Sequence, residues 1–345
     1  MPIRVLLVED SLTVRQLLRE VLSTPEFEVV GEAHDGQQAI DLCRETRPDV
    51  ITMDMLLPVM SGLAATEYIM AHFPTPILIV SSSFNRGELF KTYDALAAGA
   101  VDVFEKPKGD ESEEEWRLGF LSALRVVSRV RVITHPRAKL PKEVTTPAPA
   151  AYRMSLLAIG TSTGGPGALV RLLGQLPPSF RPPIIVVIHL SPAFATTFID
   201  WLAQQTSRQV AYAVHGEQVA NLAGRIVVAP PNYHLRVTAG TLRLSQDPEV
   251  HSCRPSVDVL FESLANGSAR GTVACLLTGM GKDGASGLLD LHRAGALTIA
   301  QDETTCVVYG MPREAALLGA AQHILALDRM ASLIGALPGA TEVRP

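Results

Sequence analysis

Short apolar runs alternate with amphipathic stretches along most of the chain. Runs of strand length lie at 3–8, 27–33, 49–53, 76–81 and 100–104. Stretches with apolar residues three and four apart follow them at 12–22, 36–45, 61–72, 86–97 and 112–130. Five such units predict a doubly wound, five-stranded parallel sheet, whose strand C-termini gather ligands. The periodicity stops from Thr134 to Arg153, where Pro, Ala and charged residues dominate. That composition buries little and predicts a semi-extended linker. Beyond it, strands are expected at 155–160, 184–190, 210–214, 225–229, 272–278, 296–300 and 323–327. Helices are expected at 166–176, 193–206, 256–266, 283–294 and 311–318. Residues 234–244 alternate around Ala239-Gly240-Thr241, a β-hairpin pattern. The expected organisation is a first α/β domain over 1–130, a linker over 131–153 and a second over 154–345. The second sheet is expected to be mostly parallel, with an antiparallel hairpin.

Composition narrows the function classes. A length of 345 residues accommodates two domains. A net charge of −5 and a pI near 6.0 argue against sequence-independent nucleic-acid binding, which needs clustered positive charge. A DNA-binding regulator would need a basic recognition helix after the linker, where alternating α/β pattern stands instead. The longest apolar run, Ile184–Leu190, falls well short of the ~18 residues of a membrane span. The N-terminus lacks a signal-peptide pattern, so a cytoplasmic, water-soluble chain is expected. Cys43, Cys253, Cys275 and Cys306 form no CxxC pair or zinc spacing and are expected as reduced thiols.

In the first domain, polar residues stand at strand ends that a doubly wound sheet brings to one crevice. Glu9 and Asp10 end the first strand, Asp54 the third, Ser81 the fourth and Lys106 the fifth. One acid there could be a helix N-cap. Three converging carboxylates are costly unless a cation sits among them, and hard oxygen ligands suit Mg²⁺. A lysine and a hydroxyl opposite them suit a phosphoryl group.

In the second domain, Gly160-Thr-Ser-Thr-Gly-Gly-Pro-Gly joins an apolar strand to a helix and places Ser162 on the turn. The G-x-S-x-G spacing projects a serine hydroxyl beside free helix N–H groups, as a nucleophile requires. On its own the fragment is equally a Gly-rich turn with an incidental serine. It is neither G-x-G-x-x-G nor a P-loop, which argues against nucleotide binding. His189 ends an apolar strand, and Asp283 lies in Leu277-Thr-Gly-Met-Gly-Lys-Asp-Gly, another strand-to-helix turn. Each has a plainer use, as a locally bonded histidine and a helix N-cap. Together they supply nucleophile, base and orienting acid from three strand ends. The order Ser, His, Asp differs from that of α/β-hydrolases.

The first domain, about residues 1–125, resembles the flavodoxin-like receiver domains of two-component response regulators. The resemblance implies phosphorylation of Asp54, Mg²⁺ held by Glu9, Asp10, Asp54 and the Met55 carbonyl, and a switch through Ser81 and Lys106. Val103 stands where the family often has an aromatic, and Phe104 is expected on the opposite strand face. Residues 154–338 resemble chemotaxis receptor methylesterases of the CheB family. The match rests on the Ser162 and Asp283 motifs, Ala229-Pro-Pro-Asn-Tyr-His-Leu, Pro255-Ser-Val-Asp and Tyr309-Gly-Met-Pro-Arg-Glu-Ala. It implies a triad of Ser162, His189 and Asp283, with Thr163 and Met280 as oxyanion-hole neighbours. It further implies hydrolysis of glutamate methyl esters on methyl-accepting chemoreceptors, deamidation of receptor glutamines, and a chemotaxis-type histidine kinase as phosphodonor. No cofactor is implied for the esterase reaction. Asn232 replaces the family's usual glycine on one rim of the cleft. The alternative, a phospho-controlled interaction module with an inactive hydrolase domain, is disfavoured by the intact triad.

Overall fold

A computed structural model describes residues 1–82, 86–107, 113–130, 132 and 152–341. The expected linker over 131–153 lies outside these residues except at 132, 152 and 153. The chain divides into two compact units, Met1–Pro141 and Lys142–Pro345.

In the first unit, strands β1 (Ile3–Val8), β2 (Phe27–Ala33), β3 (Val50–Met53), β4 (Ile77–Ser81) and β5 (Asp102–Glu105) alternate with helices. The helices are α1 (Leu12–Val21), α2 (Gly36–Thr46), α3 (Gly62–His72), α4 (Arg86–Ala97) and α5 (Glu113–Val127). The strand order is β2-β1-β3-β4-β5, all parallel, so the crevice forms where the order reverses beside β1 and β3. Ser11, Asp35 and Ser61 accept from backbone N–H groups three residues on and start α1, α2 and α3. Strand β5 starts two residues later than its apolar run suggests, after the buried Ala100 and Val101. Phe104 packs on α5, with ring centroids 5.8 Å from Trp116 and 5.7 Å from Phe120. Its neighbour Val103 faces the opposite way, as strand alternation requires.

The second unit is built on a seven-stranded sheet with every pair parallel. Its strands are β6 (Leu156–Thr161), β7 (Ile184–Ile188), β8 (Val210–Tyr212), β9 (Ile226–Val228), β12 (Thr272–Leu276), β13 (Leu297–Gln301) and β14 (His323–Leu325). The hairpin β10 (His234–Thr238) and β11 (Thr241–Ser245) forms a separate antiparallel pair. Its two turn residues, Ala239 and Gly240, both have positive φ (48° and 72°), which matches a right-twisted hairpin. Helices α6 (Gly165–Gly174), α7 (Pro192–Thr206), α8 (Val257–Ala265), α9 (Ala285–Arg293), α10 (Met311–Leu317) and α11 (Leu327–Ala336) complete the unit. Helix α11 was not expected; it begins inside the strand predicted to run to 327. Its N-cap Ala326 offers no side-chain acceptor, so no local signal marks its start. A bidentate Arg171–Asp328 pair at 2.8 and 2.6 Å joins it to α6.

The order β14-β13-β12-β6-β7-β9-β8 puts β6 between β12 and β7. The chain leaves β6 toward one edge and later returns to build the other, so the ends of β12, β6 and β7 flank the switch point. One side of this sheet is closed by α8, whose Val257 lies directly over β6. A Cβ on Gly160 would fall 2.2 Å from Val257 Cγ1. Gly160→Ala should therefore lower urea stability of the second unit by ~1–3 kcal/mol through overpacking. Combining it with Val257→Ala should restore most of the loss, as read by circular dichroism in a urea titration. A single variant as stable as the parent would show that α8 does not press on β6.

Candidate active site

The backbone places the three candidate residues at one end of the sheet. Thr161 pairs with Ile188, so Ser162 and His189 leave adjacent strands side by side. The His189 N–H donates to Thr161 O (3.2 Å), and the Ser162 N–H donates to Thr278 O (3.0 Å). Gly279 lets the β12 loop close on the serine, since a Cβ there would lie 2.8 Å from Ser162 Cβ.

His189 and Asp283 are joined directly, Nε2 to Oδ2 at 2.9 Å. The Asp283 carboxylate is buried at the N-terminus of α8. It accepts from Ser256 Oγ (2.7 Å), Val257 N (2.7 Å) and Asp258 N (3.1 Å). Burial pushes its pKa up, but these donors and His189 outweigh it and hold the carboxyl below its ordinary value. Burial likewise disfavours the His189 imidazolium. Hydrogen bonds to Asp283 and Cys253 overcome that and raise it to about 9.

With Nε2 given to the acid, Nδ1 is the atom left to accept a proton. The aspartate thus meets Nε2, the reverse of the chymotrypsin template, in which Nδ1 meets the aspartate. In this structure Nδ1 faces Cys253 Sγ at 3.8 Å, and no hydrogen bond joins it to Ser162. Loose nucleophile–base geometry is common before substrate binds. Thr163 is fixed through its carbonyl, which accepts from Thr278 Oγ1 (3.0 Å). Met280 follows Gly279 beside the serine, and among the described residues its N–H makes no hydrogen bond. Asn232 adopts φ 64°, the left-handed conformation that a glycine takes without strain, so the turn survives the replacement.

In the first unit, Glu9, Asp10 and Asp54 bring carboxylate oxygens within 4.8 Å of one another. Lys106 Nζ bridges Glu9 (2.8 Å) and Asp54 (2.9 Å). Burial and the charge of Asp54 raise Glu9 to about 7, despite Lys106. Burial also raises Asp54 above its ordinary value against the pull of Lys106. The lysine therefore leaves the cluster short of positive charge. The Met55 carbonyl accepts from the Gly62 N–H (3.3 Å), which leaves its second lone pair for a cation. Ser81 does not point at Asp54. Its hydroxyl donates to Glu88 Oε1 (2.7 Å), and that carboxylate also accepts from Ser82 N and Ser82 Oγ.

The family model described as CheB methylesterase matches residues 157–334, and the response regulator receiver domain model matches 5–114. A Hahella chejuensis protein named protein-glutamate methylesterase/protein-glutamine glutaminase 3 is 41% identical, covering 97% of this chain and 98% of that protein. A Pseudomonas aeruginosa protein named protein-glutamate methylesterase/protein-glutamine glutaminase 2 is also 41% identical, covering 97% and 96%. The solved catalytic domain of Thermotoga maritima CheB methylesterase is 34% identical, covering 52% of this chain and 96% of that one, with a TM-score of 0.49. The chain belongs to the CheB methylesterase family.

Sequence reasoning about this CheB-family chain missed several residues around the site. Ser256 and Thr278 lie in quoted motifs, yet nothing local shows that one serves Asp283 and the other Thr163. Cys253 and Glu88 gave no signal, because each reaches its partner only through tertiary packing. A base must be neutral to take a proton, and His189 is held charged below about 9. Ester hydrolysis by the CheB-family enzyme should therefore rise with pH from about 7 and level off above about 9, as read from kcat/KM. A profile flat across that range would remove His189 as the base.

Proposed function

We propose that this chain is a phosphorylation-controlled protein-glutamate methylesterase. It hydrolyses glutamate γ-methyl esters on the cytoplasmic helices of methyl-accepting chemoreceptors and deamidates receptor glutamines. The observation that carries the reading is the His189–Asp283 pair beside a serine on a β–α turn, in a chain that belongs to the CheB family. In the proposed mechanism Ser162 Oγ attacks the ester carbonyl while His189 Nδ1 takes its proton. Asp283 keeps the second proton on Nε2 and stabilises the imidazolium. The Thr163 and Met280 N–H groups are the proposed donors to the tetrahedral oxyanion. The imidazolium returns its proton to the leaving methoxide, and water then releases the glutamate by the same steps in reverse. Deamidation differs only in that ammonia leaves. No step calls on a cation.

The receiver carboxylates fit Mg²⁺, since three hard oxygens converge with one lysine between them. Glu9, Asp10, Asp54 and the Met55 carbonyl would hold the ion, which would neutralise the charge of an incoming phosphoryl group. Asp54 is the proposed acceptor from a chemotaxis-type histidine kinase. Lys106 would pair with the new phosphoryl oxygens, and Ser81 would leave Glu88 to bond them.

Ser162→Ala should fold normally and lose methanol release from methylated receptor membranes by about 10⁴-fold or more. Asp283→Asn should keep receptor binding and lose rate on the order of 10⁴-fold, because the amide cannot hold the Nε2 proton as the carboxylate does. Near-parental turnover in either folded variant overturns its assignment. For control, a small acyl phosphate with Mg²⁺ should accelerate the parent and leave Asp54→Asn unchanged. Equal acceleration of both would place the phosphoryl group elsewhere.

A further inference from the structure

Cys253 is held against the catalytic histidine by its own backbone. Its N–H and carbonyl exchange hydrogen bonds with Val250 (3.0 and 3.2 Å) across a tight turn through His251 and Ser252, both at positive φ (53° and 59°). Three residues later Ser256 starts α8 and bonds Asp283. The thiol is thereby fixed to the same structure that fixes the imidazole. Sγ lies 3.8 Å from His189 Nδ1 and 3.4 Å from the His251 carbonyl. The site is open: Cys253 is half-buried and the His189 side chain is 17% exposed.

We propose that Cys253 Sγ and His189 Nδ1 form an inhibitory Zn²⁺ site. Tetrahedral zinc with bonds of about 2.3 Å to sulfur and about 2.05 Å to nitrogen puts those two atoms about 3.6 Å apart. The observed separation is close to this before any metal enters. Nε2 donates to Asp283, which leaves Nδ1 as the ligand atom facing the thiol once its proton is lost, and supplies the carboxylate that metal-bound histidines usually carry behind them. One ligand atom each from His189, Cys253 and Asp283 lie within 4.8 Å of one another. Two side-chain ligands leave the remaining positions to water. Thiolate and imidazole select Zn²⁺ over the hard Mg²⁺ suited to the receiver. On binding, the thiol proton and the Nδ1 proton of the charged imidazole pass to solvent as the sulfur–zinc and nitrogen–zinc bonds form, so zinc affinity rises with pH. The metal then occupies the lone pair that takes the proton of Ser162, and the esterase stops until a chelator removes the ion. This last consequence rests on His189 Nδ1 being the base; the site itself does not.

The test uses the full chain with Mg²⁺ in excess to saturate the receiver carboxylates. Zn²⁺ is titrated against a chromophoric chelator, and methanol release is followed in parallel with each rate normalised to the same variant without zinc. One Zn²⁺ per chain is expected, with affinity falling at least about tenfold in Cys253→Ser and in His189→Gln. Cys306→Ser should retain the parental affinity. Co²⁺ in place of Zn²⁺ should give thiolate-to-metal absorption in the parent and none in Cys253→Ser. Zinc should suppress the parental rate and EDTA restore it, whereas the normalised rate of Cys253→Ser should stay near one. Zinc uptake unchanged by Cys253→Ser, or abolished by Cys306→Ser, overturns the site. Zinc bound through Cys253 and His189 with an undiminished parental rate overturns the inhibition, and with it His189 as the base, while the site stands.

Discussion

The esterase unit depends on where one carboxylate is buried. Asp283 is buried, and its oxygens are satisfied by a hydroxyl, two backbone N–H groups and an imidazole. A buried charge is tolerable only when its acceptor positions are filled. The N-terminus of α8 meets that need, with a positive end of the helix dipole and N–H groups that lack intrahelical partners. The aspartate is thus a structural anion for α8 and an orienting acid for His189 at once. Ser256 serves both helix and carboxylate, since its hydroxyl also accepts from Val259 N (3.4 Å).

The receiver cluster is built on the opposite electrostatic principle. Glu9 and Asp54 are as buried, while Asp10 is exposed, but one lysine between Glu9 and Asp54 undercompensates them, and Glu9 is driven up to about 7. A site left short of positive charge is receptive to a cation, and through the cation to a phosphoryl group. The donors around Asp283 hold its carboxyl below the ordinary value, whereas burial raises Asp54 despite Lys106 and the Leu56 N–H. The difference lies in the neighbours and not in the residue type.

Much of the architecture was legible because its signals are local. Apolar runs bounded by Gly, Pro and polar residues marked the strands, and apolar residues three and four apart marked the helices between them. Strand ends converge in doubly wound sheets, so Asp54, Lys106, Ser162, His189 and Asp283 could be singled out before any coordinates. Helix α11 could not, because it starts at an alanine without a capping side chain and is secured by the distant Arg171–Asp328 pair. Nor could the pairing of Asp283 with His189 Nε2 rather than Nδ1, which depends on how the β12–α9 loop lays Asp283 against the N-terminus of α8. Ser81 was found, but its attachment to Glu88 depends on how α4 packs against β4.

The central position of β6 bears on how the protein emerges from the ribosome. One neighbour, β7, is synthesised soon after it. The other, β12, pairs Thr272 with Leu156 more than a hundred residues downstream. Until that segment appears, the strand leading to Ser162 has an open hydrogen-bonding edge, and the loop that carries Asp283 does not exist. Such long-range pairing slows folding relative to helical units with local contacts. The receiver sheet is complete by Glu105, so the regulatory half can fold well before the catalytic half closes. A nascent chain therefore completes the crevice around Asp54 before the strand ends that carry Ser162 and His189 meet the loop of Asp283.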